Sequence, residues 1–172
     1  MIITACAVAA LIGVASPPTQ KPDAPPLELV GVVSRTEVEK KIDGWREARE
    51  AAEPNAETAK KLGKVPTGAT VEVYFGTWCG DSRRELPRLW KAMTLAGSSV
   101  PFALRTVAMP RDKSHRRYPD GVTVTQVPTF IVKRGGKEVG RVVETSPNGI
   151  ENDLLALLIG ERTGVISTRT DL

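Results

Sequence analysis

The chain has 172 residues, enough for one domain with a real core and too few for two domains of ordinary size. A hydrophobic content of 41% with 26% charged residues excludes global disorder. The formal charge of +4 comes from Lys and Arg interspersed with Asp and Glu, and no basic run carries interleaved aromatics, so the reading is no nucleic acid partner. The cluster Arg111, Lys113, Arg116, Arg117 reads as a solvated loop. Two cysteines far apart, Cys6 and Cys79, and the single histidine His115 do not make a zinc site of ordinary ligand spacing. His115 sits among basic loop residues and is assigned no role.

Residues 1–26 begin with an apolar, uncharged stretch to Ala15 and continue as a proline-rich linker to Pro26. They read as a truncated signal segment without its basic n-region, too short for a membrane span. Ile3-Thr4-Ala5-Cys6 resembles a lipobox, which would make Cys6 a lipid anchor. Either the start lies upstream of Met1 or Cys6 is an ordinary small residue. The expectation is an exported protein of a bacterial periplasm or cell envelope, with a cytoplasmic location as the alternative.

Leu27 to Val33 predicts a first strand. Ser34-Arg35-Thr36-Glu37 has capping-box spacing, and Val38, Ile42, Trp45 and Ala48 follow at helical spacing, so one helix is expected through them, weakened at Gly44. Pro54-Asn55 breaks it, Ala56–Leu62 resumes, and 63–68 is a loop. Val71-Glu72-Val73-Tyr74-Phe75 reads as a half-buried strand within Ala69–Phe75 and runs into Gly76-Thr77-Trp78-Cys79-Gly80-Asp81-Ser82. A helix carrying Leu86, Leu89, Trp90 and Met93 runs out of it to about Ala96, bent at Pro87. Cys79 thus falls at a helix start, where unpaired N–H groups and the positive end of the helix dipole favour a thiolate. Val100–Val107 predicts a strand and Met109–Gly121 an irregular segment with one helical turn.

Val127-Pro128-Thr129-Phe130-Ile131-Val132 predicts a strand opened by a proline, with a hairpin turn at Gly135-Gly136 and a return over Lys137–Glu144. Ser146-Pro147 is read as the N-cap and first residue of a last helix. That helix carries Ile150, Leu154, Leu157 and Leu158 and stops near Gly160 or Gly164, leaving 163–172 as a tail.

Trp78-Cys79-Gly80, Pro87 eight residues after the cysteine, Val127-Pro128-Thr129 and the hairpin glycines, in this order, resemble the thioredoxin superfamily over 27–162. The resemblance implies a thioredoxin-like α/β three-layer sandwich, a central mixed β-sheet with helices on both faces. It also implies a cis peptide before Pro128, with Pro128 beside Cys79 and the Val127 backbone pairing to an extended substrate. The implied site is Cys79, Ser82 and Pro128 for chemistry, and Trp78, Gly80, Asp81, Val127 and Thr129 for substrate. Two departures stand out. Ser82 replaces the resolving cysteine, and Val73 stands where many members carry a buried acid. Glu72, one residue off in a strand, points to the other face and does not substitute.

A single thiolate can attack a disulfide and form a mixed disulfide with a protein partner bearing cysteines or disulfides. The expected function is monothiol thiol–disulfide exchange with no cofactor, resolved by an external thiol such as glutathione. The Ser82 hydroxyl is expected to hydrogen-bond the thiolate. Arg83 and Arg84 would favour the thiolate and Asp81 oppose it. The alternatives are a redox-inactive binding or chaperone-like module, and a thiol peroxidase, which needs an activating arginine and a resolving thiol.

Overall fold

The computed structural model describes residues 27–97, 99–119 and 122–171. The signal, lipobox and Cys6 readings lie outside the described residues. Six strands form one sheet in the order β1-β3-β2-β4-β5-β6: β1 (Gly31–Val32), β2 (Ala69–Phe75), β3 (Phe102–Ala108), β4 (Thr129–Arg134), β5 (Lys137–Val143) and β6 (Gly164–Ile166). The five helices are α1 (Arg35–Lys41), α2 (Trp45–Ala51), α3 (Ala56–Leu62), α4 (Gly80–Ala96) and α5 (Ile150–Ile159). The sheet is mixed: β2 is parallel to β3 and antiparallel to β4, and β6 is parallel to β5.

Strand alternation divides the interior into two clusters. Val71, Val73 and Phe75 of β2 face the larger one, with the buried side chains of all five helices, Trp45, Leu62, Leu86, Trp90 and Leu154 among them. Trp45 packs against Phe75 and Trp90 with ring centroids 5.4 and 5.9 Å away. On the other face Tyr74, Val107 and Ile131 join Met109, Val124 and Val127 in a smaller cluster. The cover on that face is thinner than the helix layer expected from the resemblance. It is the segment between β3 and β4, whose helical part is a 3-10 turn at Lys113–His115.

Several boundaries differ from the sequence reading, each for a local reason. The first strand shrinks to two residues because it lies at the sheet edge, with Leu27, Val30 and Val32 60–63% exposed. The Leu29 N–H leaves the ladder and donates to Thr77 Oγ1 at 3.3 Å. The single helix expected through Val38 and Ala48 is two, because Gly44 takes φ +77° and breaks it. A Cβ there would lie 1.9 Å from the Arg83 guanidinium. Ser146-Pro147 does not open the last helix. Gly149 is its N-cap, and the Ser146 hydroxyl donates to the Asp153 carboxylate, which also accepts from the Asn148 backbone at 3.2 Å and its Nδ2 at 2.8 Å. α5 ends at Gly160, and the stretch read as a tail supplies β6.

The helix layer is pinned by one buried carboxylate. Glu151, fully buried, accepts from Arg88 of α4 at 2.7 and 2.8 Å and from the Asn55 N–H at the start of α3 at 2.9 Å. Burial works against its charge, but the Arg88 guanidinium and the Asn55 N–H prevail and hold its pKa below the ordinary 4.5. A lowered carboxylate pKa stabilises the fold fully above that ordinary value and ceases to do so as pH falls through the folded one. Arg88→Met leaves the carboxylate buried without its cation. It should cost about 2–3 kcal/mol at neutral pH in urea unfolding, with the deficit shrinking as pH drops below the ordinary glutamate range.

Candidate functional site

The site follows from sheet polarity. Phe75 at the C-terminal end of β2 pairs with Ala108 at the C-terminal end of β3, and Tyr74 pairs with Thr129 at the N-terminal start of β4. Three connections therefore leave the sheet at one edge: 76–79 after β2, 109–111 after β3 and 126–128 before β4. Ligand sites of open α/β sheets gather at such strand ends.

Cys79 is the N-cap of α4, with φ −95° and ψ 126°, and is a free, half-buried thiol. Its N–H donates to Gly76 O at 3.0 Å and its carbonyl accepts from the Arg83 N–H at 3.0 Å. Its Sγ donates to Val127 O at 3.3 Å. The Val127–Pro128 peptide is cis, and the Val127 carbonyl that meets the thiol belongs to that peptide. The Pro128 carbonyl accepts from the Glu144 N–H at 2.7 Å. Glu144 adopts φ +58°, an uncommon conformation for a non-glycine residue, as it ends β5 against this loop.

Ser82 lies elsewhere in the hydrogen-bond scheme than expected. It is fully buried, and its hydroxyl accepts from the Gly76 N–H at 3.1 Å. It closes the strand-to-helix turn from inside; its bond is to Gly76 and not to the Cys79 sulfur. The nearby charges are also engaged elsewhere. Arg83 lies against Gly44. Arg84 pairs with Asp81 at 2.9 Å and Glu85 at 3.0 Å and donates to Thr145 Oγ1 at 2.7 Å. Among the described residues no arginine donates to the Cys79 sulfur, so the activating arginine a peroxidase needs is not at this thiol.

The other expected substrate residues have different surroundings. Gly80 is exposed, and a Cβ on it would meet nothing within 4 Å, so the space beside the thiol is open. Thr129 is buried and spends its hydroxyl on Gln126 O at 2.7 Å, which shapes the turn before β4 and leaves no side-chain donor for a ligand. Val73 is fully buried against the helices. Glu72 lies on the opposite face, pairing with Lys133 at 2.8 Å and accepting from Tyr74 Oη at 3.1 Å. Burial, with help from Glu72, pushes the Tyr74 hydroxyl up to about 12, so it stays a donor.

Trp78 forms one wall. Its ring packs over Gly76, where a Cβ would come within 2.6 Å of it, and its Nε1 donates to Met109 O at 3.0 Å. The guanidinium carbons of Arg111 and Arg116 lie 5.2 and 5.6 Å from its ring centroid, in the range of cation–π attraction. Sequence reasoning did not connect these arginines or Met109 with the site, because no local pattern joins residues 31 and more positions apart. Among the described residues no group of three His, Cys, Asp or Glu side chains is placed to hold a metal, and no helix is long and apolar enough to cross a membrane.

Comparison with known proteins agrees with the fold. No family model matches the chain. A thioredoxin of Echinococcus granulosus is 34% identical over 77 residues, 45% of this chain and 66% of that protein. The solved structure of a protein of unknown function from Pseudomonas aeruginosa aligns with a TM-score of 0.53 at 17% identity, over 76% of this chain and 88% of that one, a likeness of fold alone. The fold is thioredoxin-like, a mixed sheet flanked by five helices, and the sequence match supports a thioredoxin-like relationship.

Ser82→Ala tests the assignment of that side chain to the turn. It strands the buried Gly76 N–H and should lower stability by about 1–3 kcal/mol, measured by chemical denaturation. A change confined to thiol reactivity at full stability would return Ser82 to the thiol.

Proposed function

We propose that the protein carries out thiol–disulfide exchange through Cys79 alone, on protein partners that bear disulfides. The observation that carries this reading is the half-buried thiol at a helix N-cap, 3.3 Å from the Val127 carbonyl and beside open space over Gly80. The adjacent loop can hold an extended chain. In the exchange, the Cys79 thiolate attacks one sulfur of the partner disulfide. The partner's S–S bond breaks, a new one joins Cys79 to the partner, and the departing sulfur takes up a proton. An external small thiol, as thiolate, then attacks the Cys79 sulfur and releases the reduced partner. A second equivalent frees Cys79 and leaves as the small-molecule disulfide, so two external thiols are oxidised for each partner disulfide reduced. Trp78, Gly80, Asp81 and the Val127 backbone would border the bound segment, with Pro128 shaping it. The lipobox-like Ile3–Cys6 and the apolar stretch around it support an exported setting.

A second reading has its own observation. The Cys79 Sγ–H is already donated to Val127 O and Ser82 serves the turn, an arrangement equally suited to a binding module that never exchanges disulfides. The two readings separate cleanly. Under exchange, the wild-type protein incubated with a disulfide-bearing extract accumulates mixed disulfides that persist until a small thiol is added, and Cys79→Ala captures none. Ser82→Cys supplies an intramolecular thiol and should shorten the life of those adducts at least about tenfold. Partner retention by Cys79→Ala equal to that of the wild type, with no adducts, establishes the binding module.

A further inference from the structure

We infer that the loop after β3 is a docking surface for an acidic polypeptide segment flanking the reactive disulfide of the partner, an inference that rests on the exchange reading. As sequence, Arg111, Lys113, Arg116 and Arg117 look like an ordinary solvated loop. In the fold two of them meet the residue that precedes the thiol. Arg111 and Arg116 both lie over the Trp78 ring at 5.2 and 5.6 Å, and Trp78 is the residue next to Cys79.

The two arginines play different parts. Arg116 is only 8% exposed, and its guanidinium is fixed by backbone carbonyls, Nε donating to Pro110 O at 3.0 Å and Nη2 to Arg111 O at 3.5 Å. No ion pair within 4 Å serves it or Arg111, Lys113 or Arg117 among the described residues, and Arg117 Nη1 donates to Ser114 O and Arg116 O at 2.9 Å each. Arg111, Lys113 and Arg117 are exposed.

The acids nearby are occupied. Asp112 accepts from the Ser114 N–H and hydroxyl at 2.9 and 2.8 Å, and Glu28 accepts from the Arg111 N–H at 2.7 Å. These hydrogen bonds leave the acids charged, and the four cationic side chains of 111–120 stand against Asp112, Asp120 and Glu28, a positive excess of one. A buried cation with no carboxylate within 4 Å among the described residues, and three exposed ones on the same loop, set a field that draws in anionic partners and fixes their orientation.

A polypeptide fits better than a nucleic acid. The two aromatic rings there are both half-buried, Trp78 under two guanidiniums and Tyr118 edge-on against Tyr74 at 5.8 Å, so they give no stacking platform for successive bases. The patch also meets Trp78, the neighbour in sequence of the thiol that the chain around a disulfide must reach.

The test uses two peptides of the same length, each with one cysteine activated as a thiopyridyl disulfide, flanked by glutamates in one and lysines in the other. Rates of thiopyridone release are normalised to the rate with neutral dithiodipyridine. The glutamate peptide should react about tenfold faster than the lysine peptide at low salt, and the ratio should fall towards one as salt shortens the screening length to about 3 Å at 1 M. In the triple variant R111Q/K113Q/R117Q, which spares buried Arg116, the preference should vanish. Equal normalised rates in the wild type, or a preference that survives in the triple variant, overturn the inference. Failure of Cys79 to react with dithiodipyridine overturns the exchange reading instead. The docking surface is then decided by titrating the glutamate peptide in its cysteine-to-serine form against tryptophan fluorescence. Saturable, salt-sensitive binding supports it. No binding, or displacement of the peptide by a single-stranded oligonucleotide at lower concentration, overturns it.

Discussion

The pairing of β2 with β3 on one side and β4 on the other is the constraint on which the site depends. Because β3 runs parallel and β4 antiparallel, the last residues of β2 lie between the end of one neighbour and the beginning of the other. The chain needs no long-range device to bring Cys79, Met109 and Val127 together; sheet polarity does it. The same register faces Val71, Val73 and Phe75 towards the helices and Glu72 and Tyr74 away from them. A one-residue slip would exchange those faces and put a carboxylate into the helix core. The apolar pattern that stabilises the sheet therefore also sets which residues surround the thiol.

Within that frame the strand-to-helix turn is a small closed unit. The Cys79 N–H returns to Gly76 O, the Gly76 N–H is held by Ser82 Oγ, and the Trp78 ring packs over the glycine. A cysteine at position 82 would offer a weaker acceptor to Gly76. The serine thus combines two effects: it removes the second thiol and satisfies a buried donor. The chemistry left to the site is that of one sulfur whose hydrogen bond goes to the Val127 carbonyl.

What was legible in the sequence was whatever short-range periodicity or a special residue specifies. β2, α4, the hairpin at Gly135–Gly136 and the end of α5 at Gly160 fall where alternation, helical spacing and glycine placed them. The break at Gly44 was underestimated, because one glycine in a helical pattern does not reveal that its backbone takes the left-handed φ of +77°. Ser146 misled because a serine before a proline is a good local cap, while a carboxylate seven positions further on, Asp153 in the first turn of α5, took its hydroxyl. For the site, motif spacing identified Cys79, Pro128 and Trp78 as candidates, and the sheet brings them to one edge. The hydrogen-bond partner of Ser82 and the arginines over Trp78 were not legible, since both depend on how loops close over the sheet.

The two faces of the sheet also divide the work at the site. On one face, five helices and the Glu151 contacts hold α4, and with it the thiol, in a dense apolar core. On the other, a connection with only a 3-10 turn covers Tyr74, Val107 and Ile131, and a loop with few core positions is free to carry surface charge. The Cys79 thiol therefore stands on the densely packed side and the cations on the lightly built side, meeting at Trp78. Substitutions among Arg111, Lys113 and Arg117 touch no helix of the main core, whereas changes at Ser82 or Gly76 disturb the turn that sets the sulfur. In this arrangement the charge of the loop can change while Cys79 stays where β2 and α4 put it.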